Sequence, residues 1–257
     1  MGKLIVQKFG GTSVQDHTSR DLALDHVQKA LNDGYKVVMV VSAMGRKGSP
    51  YATDSLLSLV SSNGATKLNP QELDQLLATG ELISMSVMLN QARQRGINVQ
   101  GMTGAQAGII TNDDYQNARV LKVDNNAIQQ ALLTADVVIV AGFQGKTMDG
   151  HITTLGRGGS DTSATALGAA LNAQYVDIFT DVNGVMDKDP KENSNAQVIP
   201  FLTYDEMETM AQNGAKVVHP RAVKIAMKAQ VPFRVRSTYR TSDLGCTIIG
   251  SPKVYNN

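Results

Sequence analysis

The sequence predicts an α/β protein organised on a largely parallel sheet, and three features carry that reading. Lys36–Val41 and 136–141 are continuous apolar, mostly β-branched runs, the appearance of strands buried on both faces. They alternate with segments of helical periodicity such as 16–33, which requires crossover connections and hence parallel neighbours. The first apolar run, 4–7, is followed by Lys8-Phe9-Gly10-Gly11-Thr12-Ser13-Val14, the pattern of strand, tight turn and helix start.

With 257 residues, 42% of them hydrophobic, the chain can bury a sizeable core in one large domain or two small ones. The formal net charge is +1, and no basic run is interleaved with aromatics, so a nucleic-acid partner is not expected. The single cysteine, Cys246, excludes an internal disulfide and suits a reducing, cytoplasmic compartment. No apolar stretch reaches the length of a membrane span, so no membrane partner is expected. The N-terminus enters a strand directly, without the pattern of a signal peptide.

Taken in order, 16–33 carries Leu22, Ala23, Val27, Ala30 and Leu31 at helical spacing and stops at Gly34. Ser42-Ala43-Met44-Gly45 leaves the second strand for a polar loop over 46–52, and 53–59 resumes a helical pattern. Asn69-Pro70 is an N-cap and first-turn pair. The helix it starts, 71–95, is expected to break near Thr79-Gly80-Glu81. Next, 97–102 reads as a short strand, 103–111 with Gly104 and Gly108 stays ambiguous, and 124–133 is helical. Gly142-Phe143-Gln144-Gly145 ends the run 136–141, and Met148-Asp149-Gly150-His151 reads as a hairpin tip, since Asp-Gly favours the primed turns. An alanine-rich helix then runs to Asn172, followed by a strand at 176–179 and a polar loop over 187–195. Helices are expected at 204–212 and 221–229, and a last short strand at 247–249. Between them, 231–237 reads as a strand with a solvated side marked by Arg234 and Arg236.

Two motif candidates fail. Gly145-Lys146-Thr147 resembles the end of a P-loop, but Val140 stands where its first glycine belongs. Gly156-Arg157-Gly158 opens like a dinucleotide fingerprint, but Asp161 stands at the third glycine. What remains is a set of residues suited to anions. Gly10 and Gly11 let backbone N–H groups approach an anion, and Thr12 and Ser13 add hydroxyl donors. Lys8 places a cation at the strand's carboxyl end, where ligands bind in open α/β sheets. An ordinary strand-to-helix turn with a surface lysine accounts for the same residues. Over 156–163, glycines expose backbone donors, Ser160 heads a helix, and Arg157 can grip a carboxylate with two parallel hydrogen bonds. Simple helix capping by Ser160 and Asp161 is the alternative there. Thr180, Asp181, Gly184, Asp187 and Asp189 follow a buried strand, either as a solvated acidic loop or as a nucleotide pocket with carboxylates near a metal-bound phosphate. Lys216 alone reads as surface charge, His219 before Pro220 as structural, and the scattered methionines as core filler.

Several of these segments in this order resemble the signature of the amino acid kinase family, and within it the aspartokinases. They are 8–14, 153–163, Thr180-Asp181-Val182 with Gly184-Val185 and Asp189-Pro190, and 214–221. The stretch 41–57, with Gly45-Arg46-Lys47-Gly48 and Pro50-Tyr51-Ala52-Thr53-Asp54, is similar above all to the Bacillus-type form I. The resemblance spans 4–249. It implies a three-layer αβα sandwich around an open, largely parallel sheet of about eight strands. It implies a catalytic domain over 1–250, its N-terminal part binding substrate and its C-terminal part nucleotide, with a tail over 251–257. The implied reaction is Mg²⁺-assisted, ATP-dependent phosphorylation of the β-carboxylate of L-aspartate, a first step towards lysine, threonine and methionine. A kinase of another amino acid, or a catalytically silent interaction subunit, would be the alternatives.

The resemblance also implies roles. Lys8 stabilises the transferring phosphoryl group and Asp161 orients that lysine. Thr53, Glu81, Arg157, Gly158, Gly159 and Ser160 hold aspartate, with Arg157 on the α-carboxylate and Glu81 on the α-ammonium. Lys8, Phe9, Gly10, Gly11, Thr180, Asp181, Met186, Asp187, Lys188, Asp189, Pro190, Lys191 and Lys216 form the nucleotide site. No metal ligand is implied on the protein. Lys191 replaces the more usual arginine after Asp-Pro and keeps its charge. A homo-oligomer is implied. The family usually continues into two ACT domains, whereas this chain stops at Asn257. The chain alone is therefore expected to be insensitive to lysine, threonine and methionine unless a separate ACT-domain chain binds.

Overall fold

The continuous apolar runs become the middle of a sheet, and the polar segments between them gather at its carboxyl edge. The structure, a computed structural model, describes residues 2–61, 65–188, 193, 195–214, 217–240 and 246–252. In chain order the elements are β1 (Leu4–Phe9), a 3-10 turn (Gly11–Ser13), α1 (His17–Asn32), β2 (Lys36–Val41), α2 (Thr53–Val60) and α3 (Pro70–Gln94). Then come β3 (Val99–Met102), β4 (Ile109–Thr111), β5 (Val120–Val123), α4 (Asn126–Thr134), β6 (Val137–Ala141), β7 (Gln144–Lys146) and β8 (Ile152–Thr154). The last third adds α5 (Gly159–Ala170), β9 (Tyr175–Thr180), β10 (Phe201–Leu202), α6 (Tyr204–Gln212), α7 (Pro220–Ala229), β11 (Phe233–Ser237) and β12 (Thr247–Ile249).

Eight strands form the main sheet in the order β10-β12-β11-β9-β1-β2-β6-β3. Every pairing is parallel except β11 with β12. Alternation along the strands makes two cores. Val6, Val38, Val40, Val138, Val140 and Ile178 pack under α4, α5, α6 and α7. Ile5, Phe9, Val37, Met39, Val41 and Ile139 pack on the other side under α1 and α3. These are the three layers expected, and β2 and β6 are buried on both faces because neither offers a polar side chain beyond Lys36. Among the described residues no helix is long and apolar enough to cross a membrane.

A second sheet, in the order β5-β4-β7-β8, was not legible. Its strands have only three or four residues, too few for an alternating pattern to stand out. The ambiguous stretch 103–111 resolves into turns and β4, and Gly142–Gly145 does not simply end a strand but runs into β7. The Asp149-Gly150 hairpin tip is present between β7 and β8, with Gly150 at φ 90° and Thr147 N–H donating to His151 O at 2.9 Å.

The expected break in α3 does not occur. The helix starts with a full capping box, Asn69 and Glu72, and runs on through Gly80. Gly80 serves packing instead: a Cβ there would sit 2.9 Å from Ala43 Cβ and 3.2 Å from Leu56 Cδ1. The close approach of α2 and the loop after β2 outweighs the roughly 1 kcal/mol that a helical glycine costs.

The solvated side expected on 231–237 is also corrected. Asp177, fully buried in β9, lies opposite Arg234 in the β9–β11 register. Arg234 donates from Nε to Oδ1 at 2.6 Å and from Nη2 to Oδ2 at 2.9 Å, and Arg236 Nη1 donates to Oδ2 at 2.9 Å. Arg236 lies over the Phe179 ring and is only 7% exposed. An arginine reads as solvent-facing until its carboxylate is found, and this one is distant in sequence. Removing one partner of a buried charge cluster costs about 3–5 kcal/mol. Asp177→Ala is therefore expected to lose about 3 kcal/mol in urea unfolding, since Arg234 can regain some water; a loss below about 1 kcal/mol would contradict the cluster's role.

Candidate active site

β1 ends at the carboxyl edge of the sheet, and Lys8 is its penultimate residue. Lys8 Nζ stands 2.7 Å from Asp161 Oδ1, and both side chains are largely buried. They meet by charge rather than as an aligned hydrogen bond, for Oδ1 has no hydrogen-bond partner among the described residues. Asp161 lies in the first turn of α5, whose N-cap is Gly158. Gly158 has φ 67°, and a Cβ there would fall 2.1 Å from His219 Cβ, so only glycine fits on both counts. His219 is itself the N-cap of α7, its Nδ1 accepting from Arg221 N–H at 3.3 Å, which is the structural role expected. Neither Ser160 nor Asp161 caps α5, so the capping reading of this segment falls.

A cavity of about 530 Å³ opens at this point. Lys8, Gly11, Thr53, Glu81, Arg157, Gly158, Gly159, Ser160 and Asp161 all line it. The N-terminus of α5 heads it, adding partial positive charge. Glu81 enters from the middle of α3 and is 2% exposed. Its Oε1 accepts from Ala43 N–H at 2.9 Å, while Oε2 has no partner among the described residues. Burial pushes this carboxyl up to about 8, against the pull of the Ala43 N–H. A buried carboxyl with one unpartnered oxygen facing a cavity is poised to receive a cation or a donor.

The turn after β1 departs from expectation in detail. Gly11 permits close packing, since a Cβ would sit 2.4 Å from Gly45 O, and Gly45 N–H donates to Gly11 O at 2.9 Å. Gly10 N–H reaches Phe179 O at 3.4 Å. Ser13 is not a ligand donor: its buried hydroxyl meets Thr238 Oγ1 at 2.6 Å and ties the turn to the segment after β11. The Phe9 side chain is core, stacked 4.6 Å from Phe179, so only its main chain is left to face a ligand.

Thr180 ends β9 and Asp181 follows it, beside β1 at the same sheet edge. Thr180 Oγ1 donates to Asp181 Oδ1 at 3.1 Å, and Arg46 Nη2 pairs with Oδ2 at 2.7 Å. Burial works to raise this carboxyl, but Thr180 and Arg46 together hold it below the usual range. Met186 bridges to Val198, Asp187 accepts from Gln197 N–H at 2.8 Å, and Lys188 is exposed. None of these lines the cavity. Asp189, Pro190, Lys191 and Lys216, together with most of the tail 251–257, lie outside the described residues. Sequence reasoning missed Ala43, Asp54, Gln116 and Phe143 as lining residues. Gln116 and Phe143 have φ of 61° and 67°, unusual for residues other than glycine, and nothing in their side chains announces it.

Among the described residues no group of three His, Cys, Asp or Glu side chains is placed to hold a metal ion. Mg²⁺ carried by phosphates asks for only one or two carboxylates; Asp161 lines the cavity, and Asp181 stands outside it, paired with Arg46.

A family model described as "Amino acid kinase family" matches residues 3–237. The chain is 54% identical to aspartokinase 1 of Bacillus subtilis (strain 168) over 246 residues, which is 96% of this chain and 60% of that protein. It thus spans about three-fifths of that relative's length. The crystal structure of aspartate kinase from Synechocystis superposes with a TM-score of 0.81 at 37% identity, covering 97% of this chain and 40% of that one. E. coli aspartokinase III in complex with aspartate and ADP superposes at 0.78 with 27% identity, covering 96% of this chain and 64% of that one.

The Glu81 environment has a consequence for stability. Its folded carboxyl binds a proton more tightly than the ordinary value of 4.5, so its contribution is full below 4.5 and is lost as pH rises towards about 8. Glu81→Gln has no proton to lose there. Melting temperatures at about pH 6 and pH 9 are expected to fall more for the ligand-free wild type than for Glu81→Gln. An equal fall in both would contradict the assignment.

Proposed function

We infer that this chain, which belongs to the amino acid kinase family, is an aspartate kinase, moving the γ-phosphoryl group of ATP to the β-carboxylate of L-aspartate. The observation that carries the reading is the convergence of three unlike groups on one cavity: the Lys8–Asp161 pair, the half-satisfied Glu81 carboxyl and the Arg157 guanidinium. A free amino acid with an acidic side chain offers a complement to each. Its α-ammonium answers Glu81 Oε2, its α-carboxylate answers the Arg157 fork, and its second carboxylate reaches the Lys8 end. The likeness to aspartokinases supports the same substrate.

The reaction sets a carboxylate against a triphosphate, anion against anion. The attacking carboxylate is already ionised at neutral pH, so no general base is required. One of its oxygens forms a bond to the γ-phosphorus, the bond to the β,γ-bridging oxygen breaks, and ADP leaves with that electron pair. Catalysis then consists of positioning and charge stabilisation. Lys8 neutralises charge on the transferring group, and Asp161 fixes where Nζ points. Ser160 and the α5 N-terminus add donors on the acceptor side. Thr180, Asp181, the segment 186–191 and Lys216 serve the nucleotide, with Gly10, Gly11 and the Phe9 main chain beside its phosphates. Mg²⁺ bound with the nucleotide would supply further positive charge, and Asp161 and Asp181 are the carboxylates that would hold it.

In this reading 1–250 forms the catalytic domain, with the acceptor held by its N-terminal part and by 156–161, and the nucleotide by the segments after β9. A cytoplasmic homo-oligomer, regulated where ACT domains are joined to it, belongs to the same proposal.

Lys8→Ala is expected to lower kcat by about a hundredfold or more, as when one charge-stabilising donor is lost, with a smaller effect on nucleotide affinity. Asp161→Asn should likewise strike kcat more than KM. Trapping aspartyl phosphate with hydroxylamine reads both, and a wild-type rate in Lys8→Ala would end the assignment.

Substrate choice gives an independent check. Arg157→Lys keeps the charge but loses the bidentate fork, so KM for aspartate should rise. Glutamate should be a poor substrate, because one more methylene misplaces its carboxylate against the phosphate. Comparable kcat/KM for the two amino acids would rule out an aspartate-specific site.

A further inference from the structure

We propose that Asp74 is a positioning residue that fixes one wall of the cavity and so sets the affinity for the amino acid substrate. The proposal rests on the aspartate-kinase reading of that cavity. Asp74 lies on α3 two turns before Glu81, on the same face of the helix. It is fully buried and does not line the cavity. Its Oδ1 accepts from Gln116 N–H at 3.1 Å, from Gln116 Nε2 at 2.8 Å and from Thr154 Oγ1 at 2.8 Å. Its Oδ2 accepts from Thr154 N–H at 2.6 Å and shares the Gln116 N–H at 3.2 Å. All these donors are neutral, so the carboxylate collects amides and a hydroxyl rather than balancing a cation.

Both ends of this hub lead to the site. Gln116 lines the cavity and holds φ 61°, a conformation that a residue other than glycine keeps only when its surroundings enforce it. Asp74 grips that residue by main chain and side chain at once, and Gln116 Nε2 also donates to Pro70 O at 2.6 Å. Thr154 is the last residue of β8, and the chain runs from it through Leu155 to Gly156 and Arg157. The two segments touch: a Cβ on Gly156 would sit 2.7 Å from Gln116 O, and Ala118 N–H donates to Thr154 O at 3.0 Å. One buried carboxylate therefore fixes Gln116 and the approach to Arg157 relative to α3, which also carries Glu81. Asn in its place would turn an NH₂ towards donors it cannot accept from, loosening one end or the other.

The test compares wild type, Asp74→Asn and Thr154→Val, which keeps shape and main-chain donor but loses the hydroxyl. In Asp74→Asn the KM for aspartate is expected to rise about tenfold, and in Thr154→Val about threefold. In both, kcat at saturating aspartate and KM for ATP should change by less than about threefold. A purely structural role would lower the melting temperature and the active fraction but leave KM for aspartate in place. Unchanged KM for aspartate in the folded variants, or an equal rise in KM for ATP, overturns the positioning role alone. If Asp74→Asn does not fold, Thr154→Val decides. If the wild type forms no aspartyl hydroxamate, the underlying function falls, and the proposal with it.

Discussion

The Lys8–Asp161 pair is the contact on which the rest of the site depends. Two opposite charges held 2.7 Å apart and largely out of water are costly to desolvate, and the cost is offset only if both are held firmly. The fold does this with its stiffest parts. Lys8 comes from the central parallel strand, flanked by β2 and β9, and Asp161 from the buried first turn of α5. The α5 terminus is pinned in turn by Gly158 against His219. The positive end of the helix and the lysine then face the same cavity, which makes it receptive to anions before any ligand arrives.

Glu81 gives the cavity its second polarity. Where Asp161 has a lysine, Glu81 has one main-chain N–H and an unpartnered oxygen among the described residues. On the proposed reading, two carboxyl groups in one cavity do different things: Asp161 orients a cation for phosphate, and Glu81 receives a cation from the substrate. Arg157 sits at the mouth, exposed, on the segment that Asp74 and Thr154 hold. On the same reading that arrangement discriminates by the spacing of charges and favours an amino acid with an acidic side chain over a simple anion.

What could be read from the sequence was what rests on local pattern. The runs in β2 and β6, the Asn69-Pro70 start of α3, the Asp149-Gly150 hairpin and the alanine-rich helix α5 all announce themselves within a few residues. Lys8, Arg157 and Asp161 came from local signals joined to a family resemblance, Glu81 from the resemblance alone, and all four meet in one cavity. What escaped depends on partners far along the chain. Arg234 and Arg236 look solvated until Asp177 is placed beside them. Gly80 looks like a helix break until Ala43 and Leu56 are packed against it. Ser13 looks like a ligand donor until Thr238 claims its hydroxyl. Asp74 and Gln116 carry no local signal, because a buried hydrogen-bond hub exists only once α3, the 113–118 loop and β8 have met.

The central claim is that Asp161 acts through Lys8 rather than on its own. A double-mutant cycle in kcat, read as trapped aspartyl phosphate, tests it most directly. If the two side chains form one unit, Lys8→Ala with Asp161→Asn should be about as slow as Lys8→Ala alone, the non-additivity expected of residues that work together. If instead the two losses multiply, Asp161 has an independent role in the reaction, and the ion pair is not what organises the site.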